Sequence, residues 1–139
     1  MIVLDTNVVS ALMMEEPDAL VAAWLDSQAR LSVWTTSITI FEIRFGLDTM
    51  AIGRRRKRRE SEFEKMLRND IQERVLNFDL LAAQEAGALM ARRRRHGRSV
   101  DLRDTMIAGI ALAQRATLAT RNVRHFDDLS VPVVNPWQS

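Results

Sequence analysis

The sequence predicts an α/β fold, a parallel sheet of five short strands with helices on both faces. Three observations predict it. Short apolar, β-branched runs alternate with longer helix-favouring segments along the chain. Five glycines and three prolines are all that punctuate 139 residues, which implies long helices and few loops. Hydrophobic residues make up 47% and charged residues 27%, the balance of one globular domain large enough to bury a core.

Each element has its own signal. Ile2–Leu4 is apolar and β-branched and reads as a buried strand, followed by a short helix over Asn7–Met14. Pro17, at a first-turn position, opens a second helix running to about Arg30. Leu31–Thr36, with Val33 and Trp34, is the second strand, and Ser37 is placed to cap a helix from Ile38 to about Met50. Gly53 breaks that helix. Arg54–Glu73 is a charged helical segment. Val75–Phe78 is the third strand; Asp79 caps a long helix ending near His96, with Gly97 just beyond its end. Asp101–Arg115 is helical, Leu118–Thr120 is the fourth strand, and Val131–Val134 is the fifth, placed at an edge by Pro132.

The charge is unevenly spread. Twenty basic and eighteen acidic residues leave a net charge of +2, yet the isoelectric point is about 9.9. Nearly all the basic residues are arginines, which stay protonated far above neutrality. Six of the cations run consecutively from Arg54 to Arg59, and Arg92, Arg93, Arg94, Arg95 and Arg98 make a second cluster. Outside these patches acids outnumber bases two to one. The patches suit a polyanion, and the acidic body suits a cation. With no cysteine, disulfides, thiolate metal sites and cysteine nucleophiles are excluded. The opening Met1-Ile-Val-Leu-Asp5 is unlike a signal peptide, and no apolar run approaches the roughly 18 residues of a membrane helix. A cytoplasmic location without membrane contact is the expectation.

Three acids stand out. Asp5 directly follows the first strand, at the carboxyl edge where α/β sheets build their sites, although it also suits a helix cap. Glu42 shares a helical face with Ile38, Phe41 and Phe45, while Ile40, Ile43 and Leu47 cover the opposite face. A carboxylate set in an apolar face needs an arginine or a metal ion, and Arg44 points elsewhere. Asp104 suits the first turn of a helix capped by Asp101, and it also lies at the start of the helix that leads into the fourth strand. Thr120 and Asn122 end the fourth strand and project toward the edge that carries Asp5; Asn122 also suits a turn. A parallel sheet can bring all three acids to one edge, where they repel unless a divalent cation neutralises them. Ligands that are all oxygen suit Mg²⁺ or Mn²⁺.

These residues carry a resemblance. Met1-Ile-Val-Leu-Asp-Thr-Asn7, Thr36-Ser-Ile-Thr-Ile-Phe-Glu-Ile-Arg-Phe-Gly46, Asp104-Thr-Met-Ile-Ala-Gly-Ile-Ala111, Leu118-Ala-Thr-Arg-Asn122 with Phe126, and Val134-Asn-Pro-Trp137 together resemble the PIN-domain ribonucleases, in particular the VapC and FitB toxins of bacterial toxin–antitoxin pairs. The resemblance spans nearly the whole chain. It implies one PIN domain over 1–139, a three-layer α/β/α fold with a central, mainly parallel five-stranded sheet. It also implies a metal-dependent endoribonuclease that hydrolyses RNA phosphodiester bonds with a metal-activated water. Asp5, Glu42 and Asp104 match the family's metal-binding carboxylates. A fourth family acid corresponds to Asn122, which adds no charge; Asp127 and Asp128 fit that place less well. Thr6, Asn7 and Thr120 stand beside the acids as supporting groups.

The Arg92–Arg98 run lacks nearby acids until Asp101 and is the stronger candidate for RNA phosphates. The Arg54–Arg59 run reads equally as RNA contact or as a solvated face paired to acids four residues on, such as Arg56–Glu60 and Arg58–Glu62. His96 suits a helix C-terminus, His125 a surface loop, and Trp24, Trp34 and Trp137 core or interface anchors. The resemblance further implies a homodimer, for which the two-sided apolar helix at 38–47 offers a seam, and a cognate VapB/FitA-like antitoxin, with room for a larger toxin–antitoxin assembly on DNA. Val8, Val9, Leu12, Met13 and Met14 are candidates for the antitoxin groove. Two rival classes remain: a phosphatase-like hydrolase, which wants a second aspartate where this chain has Asn7, and a catalytically silent module that binds RNA or an antitoxin.

Overall fold

A computed structural model describes residues 1–138. The strands β1 (Ile2–Leu4), β2 (Val33–Thr36), β3 (Val75–Leu76), β4 (Thr117–Ala119) and β5 (Val133–Val134) form one sheet in the order β3-β2-β1-β4-β5. Every pairing is parallel, with Ile2 beside both Val33 and Thr117. The first strand is therefore central, and β5 lies at an edge as Pro132 required.

Six helices complete the described chain: α1 (Thr6–Leu12), α2 (Ala19–Asp26), α3 (Ser37–Thr49), α4 (Arg54–Lys65), α5 (Leu80–Arg95) and α6 (Leu102–Gln114). Alternation along β1 sends Leu4 to one face and Val3 to the other. Leu4 joins Val8, Val9, Trp24, Ile43 and Phe63 in a core under α1 to α4. Val3 joins Leu89, Ile107, Ala108, Leu118 and Phe126 in a core under α5 and α6. These last two helices meet closely because Gly109 has no side chain: a Cβ there would stand 2.6 Å from the Ala82 carbonyl oxygen and 2.7 Å from the Ala86 Cβ.

Several boundaries differ from the sequence expectation, each for a local reason. Asp18, not Pro17, caps α2, accepting from the Leu20 and Val21 N–H groups. That helix stops at Asp26 instead of Arg30 because the Ser27 and Gln28 side chains bond back to the Trp24 carbonyl. Thr36 rather than Ser37 caps α3. The segment expected as one helix to Glu73 leaves the α-helix at Lys65 and continues as a wider turn over Met66–Asp70. There the Ile71 N–H reaches the Met66 carbonyl, and both side chains enter the core. Tertiary burial overrides helix propensity at this point. Asp79 and Asp101 cap α5 and α6 as their positions implied. Gly97 has a φ of 66°, and Arg115 ends α6 in the same left-handed region. No described helix is long and apolar enough to cross a membrane.

Candidate active site

Asp5, Glu42 and Asp104 come from three elements that end or begin at the carboxyl edge of the sheet. Asp5 directly follows β1, and its N–H extends the β1–β4 ladder to the Ala119 carbonyl at 2.9 Å. It also caps α1. Both of its carboxylate oxygens are held. Oδ1 accepts from the Thr6 N–H at 2.8 Å, and Oδ2 accepts from the Thr120 hydroxyl at 2.7 Å. The Asn7 amide donates to Oδ2 from 3.4 Å. The side chain is 3% exposed.

Burial pushes the Asp5 carboxyl up to about 6, and the like charges of Asp104 and Glu42 push in the same direction. The hydrogen bonds from Thr120 and Thr6 oppose that rise without cancelling it. No cation takes part in the balance. A nearby positive charge would offset the desolvation cost that the hydrogen bonds leave, and protonation is the alternative relief.

Glu42 sits on α3 with its Oε1 accepting from the Thr6 hydroxyl at 2.8 Å. Thr6 meets the Thr39 hydroxyl at 3.0 Å, and Thr39 is fixed through its N–H to Thr36. One corrected expectation concerns the Glu42 face. Phe41 and Phe45 are 62% and 60% exposed, so the carboxylate is not enclosed by core. Its cationic neighbour comes from a distant helix: an Arg103 guanidinium nitrogen lies 3.7 Å from Oε2. Arg44 does point elsewhere, to Asp48 at 2.6 Å.

Asp104 stands in the first turn of α6, its N–H accepted by Asp101 at 2.9 Å. Its Oδ2 lies 3.1 Å from the His125 Nδ1. Asn122 donates its N–H to Thr120 at 3.0 Å, so Thr120 links the Asn122 backbone to Asp5. The Asn7 side-chain Oδ1 accepts from the Arg121 N–H and thereby ties α1 to the same loop. Sequence reasoning missed Arg103 and the His125 contact. Arg103 is next to Asp104 in the chain, but nothing in the spacing shows that it leans toward α3.

Among the described residues no three acidic or histidine side chains stand close enough to make a complete ligand set. The three acids are coupled electrostatically through Asp5, each held by its own neighbours. The donor chemistry fits a hard divalent cation: carboxylates, two threonine hydroxyls and two asparagine amides, with no sulfur.

Two clefts flank the acids. One, of about 450 Å³, is lined by Thr6 and Glu42 together with Arg55, Arg59 and Arg103. The other, of about 370 Å³, is lined by Asp104, His125, Arg98 and Arg124.

The second arginine cluster requires correction. Arg93 is 3% exposed. It makes two 2.9 Å bonds to Asp128, one to Thr105 at 3.3 Å and one to the His125 carbonyl at 2.7 Å. Arg98 pairs with Asp127 at 2.7 Å. Arg93 is committed because its face of α5 turns into the protein, Arg98 follows just beyond that helix, and the acids they meet lie 35 and 29 residues on in sequence. Asp128 is held by two bonds from buried Arg93, while the exposed Asp127 meets Arg98 and borders the cleft that contains Asp104. Arg92, Arg94 and Arg95 are exposed. In the first run Arg56 pairs with Glu60 as its spacing implied, whereas Arg58 pairs with Glu15 rather than Glu62. Val8, Val9, Leu12 and Met13 are core residues; Met13 also borders the larger cleft, and Met14 is half exposed.

Comparison with known proteins agrees with this geometry. The PIN domain model matches residues 2–131. The plasmid stability protein StbB of Pseudomonas syringae pv. tomato is 38% identical over the whole of both chains. The VapC ribonuclease Y4jK of Sinorhizobium fredii is 38% identical over 99% of each. A solved structure of FitAB bound to a DNA fragment superposes with a TM-score of 0.87 at 32% identity, covering 99% of this chain and 96% of that one. A five-stranded parallel sheet with these acids at its carboxyl edge and relatives of this kind along its full length give one assignment: the chain belongs to the PIN-domain family, among the VapC/FitB toxin ribonucleases.

Proposed function

We propose that this protein is the toxin of a toxin–antitoxin pair and cleaves RNA by divalent-metal-dependent hydrolysis. The observation that carries the reading is Asp5: a buried carboxyl, raised by burial and by two neighbouring acids, with no cation of its own. Asp5, Glu42 and Asp104 would hold Mg²⁺ or Mn²⁺. When bound, such an ion supplies a Lewis acid that lowers the pKa of water and offsets charge developing on phosphate.

The chain's own residues do the rest. Thr120 and the Thr6 N–H fix both Asp5 oxygens, and the Thr6 hydroxyl fixes Glu42, so the two acids are oriented before any ligand arrives. His125 restrains Asp104. Asn122 contributes no charge, which leaves three carboxylates against the cation and favours one metal over two. Asn7 turns its amide to Asp5 and Thr120 and supplies no second carboxylate, which argues against a phosphatase-like reaction.

The proposed partners are RNA, a VapB/FitA-like antitoxin and a second copy of this chain. The exposed Phe41 and Phe45 on α3 and Leu80 and Leu81 on α5 provide apolar surface for protein contacts.

The test is cleavage of structured RNA by the purified protein. Cleavage is expected with Mg²⁺ or Mn²⁺ and is expected to vanish in EDTA and in Asp5→Ala. Cleavage that persists in either sinks the mechanism. Metal-independent RNA binding without any cleavage favours the silent module instead.

A further inference from the structure

The cleft beside Glu42 has a charge that the acidic centre does not explain. Arg59 is half-buried and Arg55 exposed, both on α4, and both line this cleft. Neighbouring arginines of the same run are neutralised: Arg56 by Asp48 and Glu60, and Arg58 by Glu15. Among the described residues Arg55 and Arg59 have no ion-pair or hydrogen-bond partner. The third cation of the cleft, Arg103, leans on Glu42. Two unneutralised guanidinium groups therefore face the same opening as Thr6 and Glu42.

We propose that Arg55 and Arg59 bind consecutive phosphates of the RNA strand as it crosses the cleft beside Glu42, so that the first arginine run, not the second, guides the substrate. This rests on the ribonuclease reading above. Guanidinium groups suit phosphate, and two without an ion-pair partner in one cleft suit a ligand with repeating negative charge. The cleft shares Thr6 and Glu42 with the acidic centre. A strand whose reacting phosphate lies at Asp5 and Glu42 must therefore pass its neighbouring phosphates over this side or over the opposite cleft. On the opposite side Arg93 and Arg98 already serve Asp128 and Asp127, which leaves Arg124, among the described residues, as the single unpaired cation there against two in this cleft.

The test is equilibrium binding of a random-sequence single-stranded RNA 20-mer to the full chain in EDTA, which stops turnover, over a range of salt concentrations. Each phosphate contact on a single strand contributes about 0.7 to the slope of log affinity against log salt. Arg55→Gln/Arg59→Gln is expected to flatten the slope by about 1.4. Arg55→Lys/Arg59→Lys is expected to restore most of it, and Arg92→Gln/Arg94→Gln/Arg95→Gln to leave it unchanged. Circular dichroism checks that each variant is folded.

An unchanged slope in the glutamine pair, or a loss confined to the Arg92/Arg94/Arg95 variant, overturns the proposal while leaving the ribonuclease reading intact. Wild-type protein that binds no RNA in EDTA overturns the proposal, while the ribonuclease reading stands or falls on cleavage with Mg²⁺ or Mn²⁺. Should the glutamine pair keep its RNA slope but lose a co-purified protein partner, the cleft serves a protein and the proposal fails.

Discussion

Two charged side chains are almost wholly buried, each 3% exposed, and they are buried in opposite ways. Arg93, under the corner where α5 meets the loop after β4, is met by a bidentate carboxylate, a hydroxyl and a carbonyl. Asp5, at the carboxyl edge of β1 and β4, is met by hydroxyl and amide donors and by the fields of two more acids. One charge is neutralised within the fold. The other is left with a demand the fold does not meet. Buried charges of the first kind hold architecture, and those of the second kind mark chemistry. Arg93 holds the His125 carbonyl, so the settled charge fixes the loop that reaches the unsettled one.

The largest expected effect lies on the settled side. Arg93→Ala leaves Asp128 facing a cavity and should lower stability by about 3–5 kcal/mol in urea unfolding. A loss under 1 kcal/mol would mean that this pair is no different from a surface contact. The pair also has a pH signature. Arg93 holds the Asp128 carboxyl below its usual value. The stability it contributes is present above the ordinary carboxyl pKa and is lost as pH falls through the depressed one.

Asp5 should behave in the reverse sense. Its folded value is about 6 against an ordinary 3.8. Its contribution is fully present below 3.8 and is lost as pH rises through about 6. Asp5→Asn keeps a cap acceptor and removes the charge, so it should stabilise the metal-free protein at pH 7 by roughly 2–3 kcal/mol, with the gain fading below pH 4. Thermal scans of both proteins in EDTA at pH 4 and pH 7 measure this directly. A destabilised variant at pH 7 would break the contrast with Arg93.

A smaller change sharpens it. Thr120→Val removes the hydroxyl that orients Asp5 while preserving shape, and it should weaken Mn²⁺ binding by about 10–100-fold in calorimetric titration. Smallest of all, Arg58→Ala breaks an exposed pair with Glu15 and should change stability by under about 0.5 kcal/mol. That variant calibrates what an arginine contributes when neither burial nor a ligand is involved.

Much of the site was legible before the fold. Asp5 stands out because a strand ends one residue earlier, and Asp101 and Asp79 because caps obey local rules. Glu42 was singled out for an apolar face that in the molecule is open to solvent; the residue was the right one to examine, but Arg103 and Thr6 are its real neighbours. Arg93 was misread because the run around it looks free of acids. Its partner lies 35 residues on, and sequence spacing carries no information about such a pairing.

By itself the sequence determined the alternation of strands and helices, the Asp79 and Asp101 caps, the edge strand and the division between an acidic body and two arginine runs. All of these follow from periodicity, local hydrogen bonding and composition, which act within a few residues. Only the tertiary structure decided which charges are settled. It buried Arg93 against Asp128, brought Arg103 to Glu42, joined Thr120 to Asp5, and left Arg55 and Arg59 without an ion-pair partner in a cleft. Desolvation and ion pairing depend on distance in space, and that distance is set by how the helices close over both faces of the sheet.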